Sequence, residues 1–229
     1  MKVDCSVLIA CKDKESTLDE CVQSVLQQSM KPKEIIIYHD GCKEPMAHAL
    51  AVSIIANENK GVAFARDKMF HYSTGKFVLF VDGDDKLSPD YIEKMMRLDT
   101  DIAYPDVFLW KNHGNVVGED TLHITPHTIT PKMMMDIKNW IPVTCLMKRE
   151  VYERVGGFPA LKVYEDLQFW MEAMLDDFKF KKAHTLLWYR QSGDTRNRQN
   201  IDLRRVVYKK IMDRYELKGN KLCEISTQQ

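Results

Sequence analysis

Residues 77–85 read FVLFVDGDD, an apolar run that ends in three aspartates. The apolar part predicts a strand buried on both of its faces. In open α/β sheets ligands bind beyond the carboxyl ends of the strands, and that is where Asp82, Asp84 and Asp85 fall. Because clustered carboxylates repel one another unless a positive charge neutralises them, this pattern favours a site for a divalent cation and phosphate oxygens. The alternative is an N-cap for a helix beginning near Ser88-Pro89-Asp90, but one acid would suffice for that.

The composition is that of a globular protein with one large domain or two halves that share a core. The chain has 229 residues, 45% of them hydrophobic, and its 33 basic and 33 acidic residues cancel. This balance gives no strong overall field for nucleic acid or membranes, although local patches stay open. No secretory signal peptide and no run of about 18 apolar residues is present, so we expect no transmembrane segment.

The six cysteines are scattered along the sequence, with no C-x-x-C pair and no clustering with histidine. We therefore expect a reduced, cytoplasmic protein rather than a disulfide or zinc framework.

The segments before the acidic run alternate between strand and helix patterns. Strand patterns cover residues 3–10 and 34–38, and a helix pattern from Thr17 to about Gln28 lies between them. Such a unit places both strand exits at one edge of a parallel sheet. Further along, we expect a helix over residues 46–51 and a short third strand over 52–56. The sequence therefore predicts an α/β fold with a mainly parallel sheet flanked by helices and a smaller mixed region.

The second half has a less regular pattern. Strand patterns at residues 143–148 and 178–188 enclose a strong helix pattern over 167–175. A short strand is also expected at 115–117. The tail carries a basic amphipathic helix over 203–217, whose basic face is either simply solvated or a surface for a membrane or polyanion.

Polar residues follow three of the predicted strands, at Lys12-Asp13, at Asp40 and at the acidic cluster. A nucleotide needs a base pocket, a ribose contact and a cation for its diphosphate, and adjacent strand ends can supply all three. Arg66, on the helix before the acidic strand, adds a fixed positive charge near the phosphates. Taken together, these residues predict a nucleotide site.

The chain resembles the family 2 glycosyltransferases of GT-A fold over roughly residues 3–190. The segments that carry the resemblance are, in chain order, SVLIACKDKESTLDECVQSVLQQS, EIIIYHDG, NKGVAFARDKMF, FVDGDD, VGGF and YED. Their order and spacing together are specific. The resemblance implies a single GT-A domain at residues 1–190, with a nucleotide-sugar-binding half at 1–106 and an acceptor half at 107–190. A C-terminal loop and helical tail would follow at 191–229.

The implied activity is metal-dependent transfer of a sugar, with inversion, from a nucleoside-diphosphate sugar to an acceptor hydroxyl. We expect a UDP-linked donor and Mn²⁺ or Mg²⁺ as the cofactor. The acceptor stays open among a glycan, a lipid-linked saccharide, a protein and a modified nucleic-acid base. The expected location is cytoplasmic, with a peripheral place at a membrane surface as an open alternative.

The resemblance also assigns roles to single residues. It implies that Asp82 and Asp84 hold the metal, with Asp85 as an adjacent contact, and that Asp166 beside Glu165 is the catalytic base. The residues expected to bind the nucleotide sugar are Ala10, Lys12, Asp40, Arg66, Asp82, Gly83 and Arg190.

Physical chemistry supports a base other than the metal-binding aspartates, because a carboxylate held by a cation is a poor proton acceptor. The alternative for Glu165-Asp166 is an acidic helix start. Arg190, with the loop carrying Arg196 and Arg198, either clamps the diphosphate from a mobile C-terminal segment or is only a solvated arginine loop. Trp140 is the acceptor-site candidate, since sugar rings stack on aromatic faces.

The segment Ala10-Cys11-Lys12-Asp13 lacks the aromatic residue that often stacks on the base in this family, so the base identity stays open. His39 stands where the family usually has the first of two aspartates. Two other functions remain as alternatives. A nucleotidyltransferase would normally carry a glycine-rich phosphate loop, and residues 10–16 contain no glycine. A catalytically silent nucleotide-sugar-binding module would bind the donor without turnover.

Overall fold

The computed structural model describes residues 2–111, 120–135, 141–161, 163–191, 209–210 and 213. Several predicted features lie outside these residues, namely Trp140, Arg196, Arg198, the strand at 115–117 and most of the helix at 203–217. In the part of the chain that is described, no helix combines the length and apolar character needed to cross a bilayer.

Strands and helices alternate through the first half and become less regular in the second. In chain order the elements are β1 (Lys2–Cys11), α1 (Glu15–Leu26), β2 (Lys31–Asp40), β3 (Val52–Ala56), α2 (Val62–Tyr72), β4 (Phe77–Asp82), β5 (Lys86–Leu87), α3 (Tyr91–Met96), β6 (Ile102–Lys111), β7 (Thr121–His123), α4 (Pro131–Met135), β8 (Leu146–Lys148), α5 (Arg149–Val155), α6 (Glu165–Leu175) and β9 (Phe180–Gln191).

The strands form one mixed sheet, in the order β3-β2-β1-β4-β8-β6-β9-β5, with β7 on β6. The pairs β3-β2, β2-β1 and β1-β4 are parallel, whereas β8 joins both β4 and β6 in the antiparallel sense. Strand β9 returns parallel to β6. The parallel part therefore comes from the first half of the chain, as the sequence predicts.

Two hydrophobic clusters cover opposite faces of the sheet. Leu8 and Phe80 point into the cluster formed with α2, α5 and α6, and Val7 and Ile9 point into the cluster formed with α1 and α3. Neighbouring residues of a strand point to opposite faces, so a strand that is apolar at every position is buried on both sides. The continuous apolar runs of β1, β2 and β4 follow from this arrangement.

Three expectations from the sequence are wrong in detail. The helix expected over residues 46–51 is absent, and Met46 and Leu50 are 39% and 71% exposed, so a helix there would have no apolar face to bury. Strand β2 begins earlier than expected, at Lys31, with Pro32 beside an irregularity in its pairing with β1. Strand β9 continues to Gln191, which places Arg190 in the sheet rather than in a mobile segment.

Candidate active site

The exits of β1, β2 and β4 meet at one edge of the sheet. The register sets Ala10 beside Tyr38 of β2 and Asp82 of β4. The Gly83 amide donates to the Ala10 carbonyl over 2.9 Å. A Cβ atom at Gly83 would lie 3.1 Å from that carbonyl oxygen, closer than most real Cβ contacts. The glycine thus lets the acidic turn lie against the end of β1, where the sequence predicts a donor site.

Asp82 and Asp84 both reach the surface of this edge, and each faces a cation of the protein. The Asp82 side chain is 33% exposed, and its Oδ1 accepts from Arg66 Nη2 at 3.0 Å. The Asp84 side chain is 16% exposed, and its Oδ2 lies 2.8 Å from Lys14 Nζ. Lys14 was not among the expected site residues, because its place beside Asp84 depends on how the loop after β1 folds.

Asp85 points away from this surface. It is 2% exposed, and its Oδ1 accepts from the Arg190 amide at 2.9 Å. Its Oδ2 is buried without a hydrogen-bond partner among the described residues. Burial raises the pKa of Asp85 well above its usual value, and the charges of Asp84 and Asp82 raise it further. Asp85 therefore connects the acidic turn to β9 through the Arg190 amide. Its expected contact with the metal stays a prediction, and the inward direction of its side chain does not favour it.

Arg66 links the two halves of the site. It is 3% exposed, and besides Asp82 it donates through Nη1 to Glu165 Oε1 at 3.0 Å, with its guanidinium 5.1 Å from the Phe158 ring centre. Burial alone would lower the pKa of Arg66, but the charges of Asp82 and Glu165 raise it. One guanidinium therefore holds the exit of β4 against the first turn of α6.

Asp166 lies in the first turn of α6, next to Glu165. Its Oδ1 accepts from the Leu167 amide at 2.8 Å. Burial and, to a lesser degree, the charge of Glu165 raise the pKa of Asp166 to about 7, and the charge of Arg66 opposes this rise. The preceding residue, Tyr164, has a φ of +63°, in the left-handed region that non-glycine residues rarely adopt. A half-buried carboxyl whose pKa is near 7 suits general base catalysis.

Arg190 supports the acidic turn from the neighbouring strand. Its Nε donates to the Asp84 carbonyl at 2.9 Å, and Nη2 forms an ion pair with Glu20. The guanidinium lies 4.1 Å from the Trp110 ring centre, and the residue is 7% exposed. Arg190 is thus rigidly held, and its expected diphosphate contact stays a prediction.

Asp40 and Lys12 both make contacts that shape loops. The two carboxylate oxygens of Asp40 accept from the amides of Lys60 and Gly61 at 2.7 and 2.9 Å, and Gly61 has a φ of +92°. Lys12 Nζ donates to the Gly41 carbonyl at 3.2 Å. These bonds join the exits of β1, β2 and the start of α2, and the expected contacts with the nucleotide stay predictions.

Tyr189 on β9 is a residue that the sequence did not single out. Burial raises the pKa of its hydroxyl, and the charges of Asp85, Asp82, Asp84 and Asp166 raise it further, so it lies near both groups of acids. From sequence, an aromatic residue in a strand pattern predicts only core packing. Its nearness to the acids depends on the long-range pairing of β9 with β6, which no local pattern reveals.

The expectation that no cysteine clusters with histidine is wrong in three dimensions. Cys11, His39 and Cys42 bring their potential ligand atoms within 4.8 Å of one another. Burial raises the pKa of Cys11 to about 12 and also that of Cys42, and burial lowers the pKa of His39. The residues come from two strand exits, so their spacing in the sequence gave no sign of the cluster.

The carboxylates of the acidic turn fit a hard divalent cation through two side chains rather than three. Asp82 and Asp84 offer partly exposed oxygens, the ligand type that Mg²⁺ and Mn²⁺ prefer. Within the described residues, Asp85 does not join them in a three-residue group of ligand atoms. Water and diphosphate oxygens would complete such a site, as is usual for Mg²⁺.

The chain is similar to known glycosyltransferases in sequence and in fold. The sequence model of glycosyl transferase family 2 matches residues 6–156. Glycosyltransferase GlyA of Streptococcus pneumoniae is 31% identical over 110 residues, which cover 43% of this chain and 16% of GlyA. An uncharacterized glycosyltransferase of Haemophilus influenzae is 24% identical over 229 aligned residues, 91% of this chain and 78% of that protein.

Among solved structures, residues 1–349 of TarS from S. aureus, in complex with UDP-GlcNAc, superpose with a TM-score of 0.64 at 16% identity. The match covers 85% of this chain and 60% of the TarS chain. At this identity the likeness shows the fold, a GT-A arrangement. This chain spans less than two thirds of the length of GlyA and of this TarS chain.

Proposed function

The chain belongs to glycosyl transferase family 2, and from this premise we propose that it transfers a sugar from a nucleoside-diphosphate donor to an acceptor hydroxyl, with inversion. The observation that carries the proposal is the contact of Arg66 with both Asp82 and Glu165. It joins the acids at the exit of β4 to a second, half-buried pair of acids, Glu165 and Asp166, as a reaction with separate donor and base groups requires.

In the proposed reaction the acceptor hydroxyl gives its proton to the Asp166 carboxylate as its oxygen forms a bond to the anomeric carbon. The bond between that carbon and the diphosphate oxygen breaks on the opposite side, and its electron pair leaves with the nucleoside diphosphate. This single displacement inverts the anomeric carbon. The value of about 7 to which burial raises the pKa of Asp166 supports its role, because the group can accept a proton near neutral pH.

We assign the binding of the diphosphate end of the donor to Asp82 and Asp84. A divalent cation, Mn²⁺ or Mg²⁺, held by these carboxylates would neutralise the charge of the leaving diphosphate. Lys14 holds Asp84 at 2.8 Å and Arg66 holds Asp82 at 3.0 Å, so both carboxylates are positioned before any ligand arrives. Arg190 also holds the turn, because its amide donates to Asp85 and its Nε donates to the Asp84 carbonyl.

We propose a UDP-linked donor, with support from the UDP-GlcNAc and UDP complexes of the TarS structures. The base would lie against Ala10, Lys12 and Asp40 at the exits of β1 and β2. Acceptors of four kinds fit the proposed chemistry, namely glycans, lipid-linked saccharides, proteins and modified nucleic-acid bases.

A donor screen tests the proposed function. Nucleoside diphosphates and their sugars, with uracil, guanine, cytosine and thymine bases, would be compared for thermal stabilisation with and without Mn²⁺, since ligand binding raises stability by mass action. We expect uridine compounds to stabilise the protein most, and only with the cation. The stabilising donor would then be incubated with each acceptor class while release of the nucleoside diphosphate is followed.

Two results would contradict the proposal. Binding without sugar transfer or donor hydrolysis would indicate a silent binding module. Release of pyrophosphate from a nucleoside triphosphate would indicate a nucleotidyltransferase.

A further inference from the structure

The exits of β1 and β2 bring two thiols and an imidazole together beside the proposed donor site. Cys11 ends β1, His39 is the penultimate residue of β2, and Cys42 follows that strand. The two sulfur atoms lie 3.8 Å apart, and the three potential ligand atoms lie within 4.8 Å of one another. Cys11 is 1% exposed and His39 is fully buried, whereas Cys42 is partly exposed.

The imidazole of His39 is buried without a hydrogen-bond partner. Neither Nδ1 nor Nε2 makes a hydrogen bond of normal geometry to the residues that the structure describes. The backbone of Met46 lies near enough to oppose the fall of the pKa that burial causes, but it does not satisfy the ring. Buried polar atoms nearly always have a partner, so two orphaned nitrogens on one ring point to a ligand.

The distance between the thiols is the one that a tetrahedral zinc ion requires. With Zn–S bonds of about 2.3 Å and a tetrahedral angle, two coordinated sulfurs lie about 3.8 Å apart. The observed separation of the Cys11 and Cys42 sulfurs is 3.8 Å. Thiolate and imidazole are soft or borderline ligands that suit Zn²⁺, whereas Mg²⁺ and Mn²⁺ prefer oxygen.

The candidate for a fourth ligand is Glu15, the first residue of α1, whose carboxylate lies outside the group of three ligand atoms and would have to turn towards it. Its charge acts on Cys11, His39 and Cys42, and its Oε1 is buried without a hydrogen-bond partner among the described residues. Glu15 also lines a surface pocket of about 250 Å³, together with Asp13, Lys43 and Glu44.

We propose that Cys11, His39 and Cys42 form a zinc site, with the Glu15 carboxylate as the fourth ligand. The ion would tie the loop after β1 to the loop after β2. Cys11 precedes Lys12 and His39 precedes Asp40, so a filled site would fix the two segments assigned to the donor base. The site is separate from the carboxylates of the acidic turn and does not depend on the proposed sugar transfer.

Cobalt spectroscopy on the full chain tests the proposal, because thiolate ligands give Co²⁺ a near-ultraviolet charge-transfer band that carboxylates and water do not. We expect one equivalent of Co²⁺ to produce this band together with intense visible bands of a tetrahedral ion, and Zn²⁺ to abolish both. Carboxylate-bound Co²⁺ at Asp82 and Asp84 would not contribute to the charge-transfer band.

The first variant is Cys42→Ser. A serine hydroxyl can keep the hydrogen bond that Cys42 donates to the Cys11 carbonyl, so the fold should be retained. We expect zinc affinity, measured by competition with a chromophoric chelator, to fall more than about 100-fold, since loss of even an outer partner costs about 10–100-fold. His39→Asn should have the same effect. The matched control is Cys145→Ser, at a buried thiol that donates to the Pro142 carbonyl and is remote from the cluster.

Three outcomes would overturn the proposal. The first is the absence of a thiolate band at one equivalent of Co²⁺ in the reduced protein, and the second is full retention of that band in folded Cys42→Ser. The third is a Cys11–Cys42 disulfide, found by mass spectrometry in protein purified without reductant that contains no zinc. Circular dichroism of each variant would establish that it is folded.

Discussion

The acidic turn after β4 and the first turn of α6 both place carboxylates side by side, but in different surroundings. Asp82 and Asp84 are 33% and 16% exposed and face Arg66 and Lys14. Asp166 is half-buried, and loss of solvent together with the charge of Glu165 raises its pKa to about 7 against the charge of Arg66. The same functional group thus faces cations at the surface in one region and is ready to exchange a proton in the other. Burial and nearby charge, rather than residue type, divide the two tasks.

The largest effect is expected from Asp166→Asn. The amide keeps the size of the side chain and can still accept from the Leu167 amide, but it cannot take a proton. We expect the turnover number to fall about 10²–10⁴-fold, the usual contribution of a general base, with donor affinity nearly unchanged. Steady-state kinetics and calorimetric titration with the donor would measure the two quantities.

The matched control is Asp176→Asn, at an exposed position just after the same helix. Full turnover in Asp166→Asn would rule out this residue as the base.

Arg66→Met tests the connection between the two regions. The change keeps an unbranched side chain but leaves Asp82 and Glu165 without their shared partner. Removing one member of a buried ion pair costs about 3–5 kcal/mol, and we expect a loss of unfolding free energy of that size in urea. The double variant Arg66→Met with Glu165→Gln should recover part of the loss. If the single variant were as stable as the wild type, the bridge would not hold the two regions together.

Asp84→Asn addresses the acidic turn alone. Since it replaces one proposed metal ligand by a weaker neutral one, we expect Mn²⁺-supported donor affinity to fall at least about 10-fold, given that even an outer partner of a metal costs about 10–100-fold. Unfolding free energy should change little because the side chain reaches the surface. Asp99→Asn, at an exposed aspartate, is the control. Equal donor affinity of Asp84→Asn and wild type in saturating Mn²⁺ would remove Asp84 from the metal site.

The smallest effect is a shift in the pH dependence of the rate. The base works in its ionised form, so kcat/KM should rise with pH through the value of about 7 to which burial raises the pKa of Asp166. The charge of Glu165 raises that pKa as well, so Glu165→Gln should move the rising limb to lower pH by up to about one pKa unit. A limb that moved to higher pH, or did not move, would contradict this electrostatic account.

Local sequence patterns predicted much of the first region and less of the second. Asp82 and Asp84 could be placed at a strand exit because a continuous apolar run predicts a buried strand and its end. Asp166 could be placed before a helix for a similar reason. No pattern revealed that Asp85 turns inward, because the direction depends on Arg190, which arrives on β9 from far along the chain.

Pairing across long sequence separations also explains the other differences. Arg66 and Glu165 meet because α2 and α6 cover the same face of the sheet, and the grouping of Cys11 with His39 needs the register of β1 and β2. The expected helix at residues 46–51 failed for the opposite reason. Its apolar residues repeat in a helical manner, but the two large ones, Met46 and Leu50, are exposed and would bury no apolar face in a helix.

The shared guanidinium of Arg66 couples the two regions through thermodynamic linkage. The negative charge of Asp82 raises the pKa of Asp166, whereas Arg66 lowers it. When the donor binds with its cation, the cation would neutralise Asp82 and so remove one charge that favours the protonated form of Asp166. The positive charge of Arg66 would then act mainly on Glu165 and Asp166. By reciprocity, ionisation of Asp166 would favour loading by the same free energy. Donor binding would thus lower the pKa of Asp166, so that the base is ionised more fully once the donor is bound.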